Sequence, residues 1–246
     1  MSFLYAEKIN KSFGDKKVLE DVSISLEEGE LVCVIGVSGS GKTTLFNAIS
    51  GITSPDSGRV LLRGEDITGV PGHISYMLQK DLLFPYKRVI DNVSLPLVIR
   101  GMRKKEARKI AEPYFEVFGL SGTEMKYPSQ LSGGMRQRAA LLRTYLSADG
   151  AALLDEPFSA LDTITKSKIH KWYLDVMQKI NLSTIFITHD IDEAILLSDR
   201  IYILGGSPGR ITDEIKIDVK KDERENFALT EKFLEYKKLI TEKFNN

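Results

Sequence analysis

A glycine-rich stretch ending in lysine and threonine is the segment best suited to binding phosphate. Residues 36–43 read Gly-Val-Ser-Gly-Ser-Gly-Lys-Thr, the spacing G-x-x-x-x-G-K-[ST] of a phosphate-binding loop. Glycines let backbone N–H groups approach phosphate oxygens, Lys42 would place a cation on the β- and γ-phosphates, and the Thr43 hydroxyl would take one position around Mg²⁺. The alternative is a glycine-rich turn without a ligand. The candidate nucleotide-binding residues are Gly36, Ser38, Gly39, Ser40, Gly41, Lys42, Thr43 and Thr44.

Two adjacent carboxylates follow the apolar run 151–154. Asp155 suits a magnesium site, because a hard cation prefers carboxylate oxygen. Glu156, one position further on, could take a proton from an attacking water as a general base. The alternative is a pair of solvated acidic side chains at the end of a strand.

A histidine follows a second apolar run, 184–187. The imidazole of His189 could hydrogen-bond a γ-phosphate or an attacking water. His73 and His170 have no such setting, so we interpret them as structural. Cys33 lies in an apolar run and is predicted to be a small core residue.

Three apolar runs must position these groups. Residues 31–35 precede the phosphate loop, as 151–154 precede Asp155 and 184–187 precede His189. Such continuous apolar strands are buried on both faces of an α/β sheet, and α/β proteins bind ligands at the sheet edge. The spacing also predicts a helix over 43–50 directly after the phosphate loop.

The remaining segments predict further elements. Further strands are predicted at 3–9, 22–26, 74–78 and 201–204, with short antiparallel strands in the turn-rich stretch 53–70. Residues 89–145 are helical in character: the stretch 102–118 is charged and amphipathic, and Met135, Ala139, Leu142 and Leu146 share one helix face.

The C-terminal tail carries apolar residues at helical spacing, namely Leu229, Phe233, Tyr236, Ile240 and Phe244. This predicts an amphipathic helix docked on the core. A calmodulin-target or membrane-surface helix is the alternative, but its polar face would be more purely basic.

Composition narrows the function classes. The chain has 246 residues, 42% of them hydrophobic, and 34 basic against 34 acidic residues. Without a basic excess we expect no nucleic-acid partner.

The longest apolar run, 31–35, is far short of the roughly 20 residues of a membrane span, and the start lacks the pattern of a secretory signal. One cysteine permits no intramolecular disulfide, so we expect a cytoplasmic location.

A second motif identifies the family. Residues 131–138 read Leu-Ser-Gly-Gly-Met-Arg-Gln-Arg, and together with the phosphate loop, the acidic pair, Ser-Ala-Leu-Asp at 159–162 and His189 the chain resembles the ATP-binding subunits of ABC transporters. The resemblance implies an α/β fold: a P-loop NTPase core with a mixed sheet, an antiparallel β subdomain and a helical insertion. It implies one domain over 1–246, with the core at about 1–88 and 147–215, the helical subdomain at 89–146 and the tail at 216–246.

The resemblance also implies roles for further residues. Ser132, Gly133 and Gly134 would bind the γ-phosphate held by a second subunit, so that two chains pack head to tail around two ATP molecules. Asp162 would communicate across that interface. Gln79 would sense Mg²⁺ and the attacking water, and Phe13 would stack on adenine; a core or edge aromatic is the alternative for Phe13. The predicted catalytic residues are thus Glu156, His189 and Gln79, and the predicted metal-binding residues are Thr43, Gln79 and Asp155.

The segment after Gln79 resembles the surface by which this family contacts membrane permeases. It comprises residues 81–86, Asp-Leu-Leu-Phe-Pro-Tyr, with 89–93 following; a packed linker is the alternative. Met135, the Phe84-Pro85 pair and residues 207–211 are most similar to importer subunits of the nitrate, sulfonate and taurine type. Tyr86, where those relatives often have tryptophan, and residues 142–146 depart from that pattern.

The resemblance therefore implies an ATP-hydrolysing importer subunit. It would act as a dimer, most simply a homodimer, at the cytoplasmic face of the cell membrane, with ATP and Mg²⁺, a separate permease and a solute-binding protein. A soluble ABC-type ATPase of repair or cofactor assembly is the main alternative, although such proteins often have two fused cassettes, coiled coils or basic stretches. A non-hydrolysing binding module is disfavoured by the intact Glu156 and His189.

Overall fold

The computed structural model describes residues 2–159, 163–219, 223–224 and 226–245. Within these ranges the chain forms two sheets. The antiparallel sheet has the order β2, β1, β4, β5, with β1 at Leu4–Phe13, β2 at Lys16–Leu26, β4 at Ser57–Leu62 and β5 at Glu65–Asp66. The short antiparallel strands predicted in 53–70 are thereby confirmed.

The second sheet has six strands in the order β10, β9, β3, β8, β7, β6. They are β3 (Leu31–Ile35), β6 (Ser75–Met77), β7 (Ala151–Asp155), β8 (Ser183–Ile187), β9 (Arg200–Gly205) and β10 (Arg210–Lys216). All neighbours pair in parallel except β9 and β10, which are antiparallel. The predicted fold class, an α/β core with a mixed sheet and a separate antiparallel sheet, is confirmed.

Strand β3 is buried along its whole length because both faces of the mixed sheet are covered. Leu31, Cys33 and Ile35 pack into a core shared with the helical residues. Val32 and Val34 face a second core, built with the antiparallel sheet and the helix after the phosphate loop. Alternate side chains of one apolar run therefore hold two layers together.

The helices are α1 (Lys42–Ile49), α2 (Val89–Val93), α3 (Leu95–Ile99), α4 (Lys104–Ala111), α5 (Tyr114–Val117), α6 (Gly133–Ser147), α7 (Thr163–Ile180), α8 (Ile191–Leu197) and α9 (Glu231–Asn245). Short 3₁₀ turns lie at Pro128–Gln130 and Phe227–Leu229. In the described part of the chain, no helix is both long enough and apolar enough to cross a bilayer.

The charged, amphipathic stretch 102–118 is helical but is divided between two helices. Residues 104–111 and 114–117 form two helices, and Pro113 lies at the break. Proline lacks a backbone N–H and clashes with the preceding turn, so it interrupts a helix even where amphipathic spacing continues.

Strand β10 was not predicted. It is an edge strand on which only Ile215 is buried, so its sequence lacks the apolar alternation that signals a strand. Helix α9 packs on the core through Phe233 and Ile240. Leu229 does not join that face; it ends the preceding 3₁₀ turn and its side chain is 88% exposed.

Candidate functional site

A cavity of about 500 Å³ lies where the carboxyl ends of β3, β7 and β8 meet, and we call it the central cavity. Parallel strands place their carboxyl ends at one sheet edge, which is why groups far apart in sequence converge there. The lining residues are Val18, Gly36, Ser38, Gly39, Gly41, Lys42, Thr43, Thr44, Gln79, Asp155, Glu156, Ile187 and His189.

The loop between β3 and α1 wraps one side of the central cavity. A Cβ at Gly36 would lie 2.4 Å from the carbonyl oxygen of Leu204, so only glycine fits against β9. Gly41, at φ 98°, precedes the first turn of α1 and makes no side-chain cap. The first N–H groups of α1 therefore remain available to an anion, and the loop fits a phosphate.

Lys42 reaches back over this loop. Its Nζ donates to the carbonyl oxygens of Gly36, at 2.8 Å, and Val37, at 2.9 Å. Burial lowers the pKa of Lys42, and the negative charges of Glu156 and Asp155 oppose that effect. The cation thus lies between the loop and the acidic end of β7.

Asp155 ends β7 in a half-buried position and accepts a hydrogen bond from the Tyr76 hydroxyl at 3.3 Å. Burial raises the pKa of Asp155; the Tyr76 hydrogen bond opposes this, and the charge of Glu156 raises the pKa further. A bound cation would relieve the cost of this buried charge. Asp155, the Thr43 hydroxyl and the Gln79 amide oxygen form a set of hard oxygen donors that fits Mg²⁺.

Glu156 is held from three directions. Its Oε2 accepts a hydrogen bond from Gln79 Nε2 at 2.9 Å, and its Oε1 lies 3.2 Å from His189 Nδ1. Its backbone N–H donates to the carbonyl oxygen of Ile187 at 3.0 Å. Glu156 has φ 46°, a conformation that costs a non-glycine residue free energy and is often found at functional sites. Two of the predicted catalytic side chains, Gln79 and His189, are therefore in direct contact with the third, Glu156.

Other predicted residues lie apart from the central cavity. Ser40 is buried beneath Gly36, and its side chain is not among the lining groups. Phe13 ends β1 with its ring 55% exposed and 5.5 Å from Lys11 Nζ. Asp162 lies outside the described residues.

The second motif also lies outside the central cavity. Ser132 caps α6 by accepting from Met135 N at 3.2 Å, and Gly133 and Gly134 form the first turn. The three residues expected to bind a second subunit's γ-phosphate thus form a helix N-terminus on the helical insertion.

Sequence reasoning missed Val18 and Ile187, which line the central cavity, and Tyr76, which bonds Asp155. Val18 lies on β2 upstream of the stretch predicted as strand, and Ile187 reads only as a core strand residue. Neither carries a polar signal, so only the folded sheet reveals them.

The segment 81–86 presents apolar side chains to solvent. Leu82, Phe84 and Tyr86 are exposed, the last by 71%, and the rings of Phe84 and Tyr86 lie 5.7 Å apart. Arg143 of α6 donates to the carbonyl oxygens of Asp81, at 2.6 Å, and Leu82, at 2.9 Å. The segment after Gln79 is therefore tied to the helix that begins with the second motif.

A phosphate loop between a buried parallel strand and a helix, facing carboxylates at the end of another parallel strand of the same sheet, defines a P-loop nucleotide hydrolase. A family model described as ABC transporter matches residues 19–159. The formylaminopyrimidine import ATP-binding protein of Halalkalibacterium halodurans is 45% identical over 87% of this chain and 83% of its own length. The nitrate import ATP-binding protein of Synechocystis is 38% identical, over 87% and 82%.

A solved dimeric ATP-binding cassette in a post-hydrolysis state, bound to ADP and Pi, is similar at a TM-score of 0.74 and 28% identity, over 88% of this chain and all of that one. The chain therefore belongs to the ABC transporter family and is an ATP-binding ATPase of that family. The predicted resemblance to importer ATPases of the nitrate type is confirmed by the relatives.

Proposed function

We propose that this chain is the ATP-hydrolysing subunit of an ABC importer and couples ATP hydrolysis in a dimer to solute uptake through a separate permease. The observation that carries the proposal is the contact of Gln79 and His189 with Glu156 beside the phosphate loop. The import function of two relatives supports the direction of transport.

The residues of the central cavity would have different roles in ATP hydrolysis. Lys42 and the N–H groups of α1 would hold the phosphates, and Glu156 would accept the proton of the water that attacks the γ-phosphorus, as ADP leaves. Gln79 and His189 would orient the Glu156 carboxylate through their contacts with its two oxygens. Asp155 and Thr43, with Gln79, would hold Mg²⁺, which supplies positive charge to the phosphate oxygens.

Two chains would pack head to tail. Ser132, Gly133 and Gly134 lie at the N-terminus of α6, away from this chain's own phosphate loop, so they are free to complete the site of a second subunit. The dimeric cassette similar to this chain supports that arrangement. Asp162 and Phe13 keep their proposed roles at the interface and at the adenine.

The permease would dock on the exposed segment 81–86. Tyr86 and Phe84 offer aromatic anchors of the kind that dominate protein interfaces, beside the exposed Leu82. Docking there would hold the chain at the cytoplasmic face of the membrane, and a solute-binding protein would deliver the solute. No observation on this chain favours the soluble repair-type alternative.

ATP hydrolysis by the purified dimer tests the proposal. We expect His189→Ala to lower kcat about 100-fold or more, whereas His73→Ala, a matched change at an exposed histidine, leaves kcat within about two-fold. Equal kcat values for the two variants would exclude a catalytic role for His189.

Copurification tests the permease. We expect Tyr86→Ala to reduce copurification with the partner permease, while ATP binding stays normal. Leu229→Ala, at another exposed apolar residue, is the control. Full capture by the Tyr86 variant would place the docking surface elsewhere.

A further inference from the structure

A buried carboxylate lies behind His189, outside the central cavity. Glu193 stands in the first turn of α8 and is 3% exposed. Buried carboxylates are costly unless they are paired, so such a residue requires a structural or functional reason. None of the groups assigned to nucleotide, metal or water contact involves it.

Glu193 is bonded to the residue that precedes His189. The hydroxyl of Thr188, itself buried, donates to Glu193 Oε2 at 2.6 Å. The same hydroxyl accepts from the backbone N–H of Asp190 at 3.0 Å. Thr188 and Asp190 are the two neighbours of His189, so one hydroxyl links both to the carboxylate.

The turn around His189 is fixed from its other side as well. Asp190 caps α8, because its Oδ1 accepts from the N–H groups of Asp192, at 3.0 Å, and Glu193, at 3.2 Å. A negative charge at a helix N-terminus is favourable, which lowers the cost of burying Glu193 there. By contrast the His189 side chain is 65% exposed, and its contact within the site is Glu156. Its direction therefore depends on the backbone on which it stands.

The carboxylate also lies close to α7. His170 of α7 places Nε2 3.6 Å from Glu193 Oε1. The ring of His170 packs edge-on against Phe158, two residues after Glu156, with centroids 5.0 Å apart. On the strand side, burial raises the pKa of the Cys33 thiol, and the negative charge of Glu193 raises it further. Glu193 thus lies between β3, α7 and the turn that carries His189.

We propose that Glu193 and Thr188 are positioning residues for His189: the buried carboxylate holds the Thr188 hydroxyl, which fixes the turn that aims the imidazole at Glu156. Misplacing a catalytic group by about 1 Å costs on the order of 100-fold in rate. The inference rests on the proposed function only for the role of His189 in ATP hydrolysis. The hydrogen bonds that fix the turn around His189 do not depend on that function.

Three variants test the hydroxyl and the carboxylate. Thr188→Val keeps the shape and removes the hydroxyl, Thr188→Ser keeps the hydroxyl, and Glu193→Gln removes the charge. We expect Thr188→Val and Glu193→Gln to lower kcat about 10- to 100-fold with the KM for ATP within about two-fold, and Thr188→Ser to retain kcat close to the unmodified chain. Thr123→Val removes another buried threonine hydroxyl, bonded to the carbonyl oxygen of Leu120, and should leave kcat within about two-fold.

A second readout does not depend on hydrolysis. The chain has three histidines, so ¹⁵N NMR of the imidazoles can follow each one in the nucleotide-free protein. We expect the His189 signals to move in Thr188→Val and Glu193→Gln and to stay in place in Thr188→Ser, with His73 unchanged in all three.

The outcomes separate the two proposals. Unmoved His189 signals, or equal loss of kcat in Thr188→Val and Thr188→Ser, would overturn the positioning role. If the unmodified dimer hydrolyses no ATP, the proposed function fails and the NMR signals alone decide the positioning. Should Thr188→Val not fold, Glu193→Gln carries both measurements.

Discussion

At the scale of single residues, Glu156 is the carboxylate that both other predicted catalytic side chains contact. Gln79 and His189 each contact one of its oxygens, and the backbone bond to Ile187 ties it to the neighbouring strand. The unfavourable φ of this residue is the local cost of pointing the side chain into the central cavity.

The Glu156→Gln variant separates binding from hydrolysis. We expect it to bind ATP with normal affinity, because Lys42 and the phosphate loop are unchanged, and to hydrolyse it at least about 100-fold more slowly, because glutamine cannot accept the proton. Steady-state phosphate release and nucleotide binding measure the two effects. Near-normal turnover would exclude Glu156 as the base.

Removing the charge of the half-buried Asp155 should stabilise the nucleotide-free protein. Since burial raises the pKa of Asp155 above its unfolded value, the ionised carboxylate destabilises the nucleotide-free fold at neutral pH. Asp155→Asn should therefore raise Tm by about 1–3 °C, where 1 kcal/mol corresponds to roughly 2–4 °C for a chain of this size. Asparagine can still accept from Tyr76.

The gain in Tm from Asp155→Asn should depend on pH. As pH falls through the raised pKa, the Asp155 carboxylate is neutralised in the fold, so the Tm difference between the variant and the unmodified chain should shrink. Asp149→Asn, at an exposed aspartate before β7, is the control and should change Tm little at any pH. A lower Tm of Asp155→Asn at neutral pH would contradict the prediction.

At the scale of elements, α2 and α6 shape the segment between Gln79 and the helical insertion. Arg143 of α6 binds two of its carbonyl oxygens, and Arg136 of the same helix pairs with Asp81. Burial lowers the pKa of Arg143, while the charge of Asp81 opposes that effect. A movement of α6 would therefore displace residues 81 and 82, which belong to the proposed permease surface and follow Gln79 closely in the chain.

Asn92 is the buried anchor of the same segment. Its Oδ1 accepts from Phe84 N at 2.7 Å, and its Nδ2 lies within 3.2 Å of the carbonyl oxygens of Phe84, Lys87 and Arg88. Asn92→Ala leaves these backbone groups without their partner, so we expect the free energy of unfolding to fall by about 2–3 kcal/mol. Urea denaturation measures the loss.

A comparison variant isolates the amide donors. Asn92→Asp retains the acceptor for Phe84 N but turns an oxygen toward the three carbonyl oxygens, so it should be at least as destabilising as alanine. If either variant were as stable as the unmodified chain, Asn92 would not anchor the segment.

At the scale of the whole molecule, we propose that one chain carries two half sites, each completed by a second chain. The phosphate loop and acidic residues lie on the core, and the cap of α6 lies on the helical insertion. In the proposed head-to-tail pair each half site would face the other chain, so dimerisation would be part of catalysis.

Ser132→Arg tests that arrangement. In the Glu156→Gln background, we expect ATP to dimerise the chain and the added Ser132→Arg change to abolish the dimer, because a bulky cation occupies the place of the partner's γ-phosphate contact. Light scattering after gel filtration with ATP measures the mass. Ser57→Arg, on the exposed antiparallel sheet, is the control, and an intact dimer in the Ser132 variant would contradict the interface.

The sequence alone determined the elements whose signals are local. The phosphate loop, the acidic pair and the apolar runs are contiguous, because backbone conformation and glycine spacing act over a few residues, and the family follows from them. Edge strand β10 and the break at Pro113 show the limit of periodicity: one lacks an apolar face, and the other overrides amphipathic spacing.

Only the tertiary structure decided which groups meet. Gln79, Glu156 and His189 come from three separate segments. Their contacts exist because β6, β7 and β8 pair in parallel and end at one edge of the sheet. The roles of Val18, Tyr76 and the buried Glu193 depend likewise on packing between distant segments. Such contacts leave no pattern along the chain, since burial and hydrogen bonding are properties of the folded arrangement.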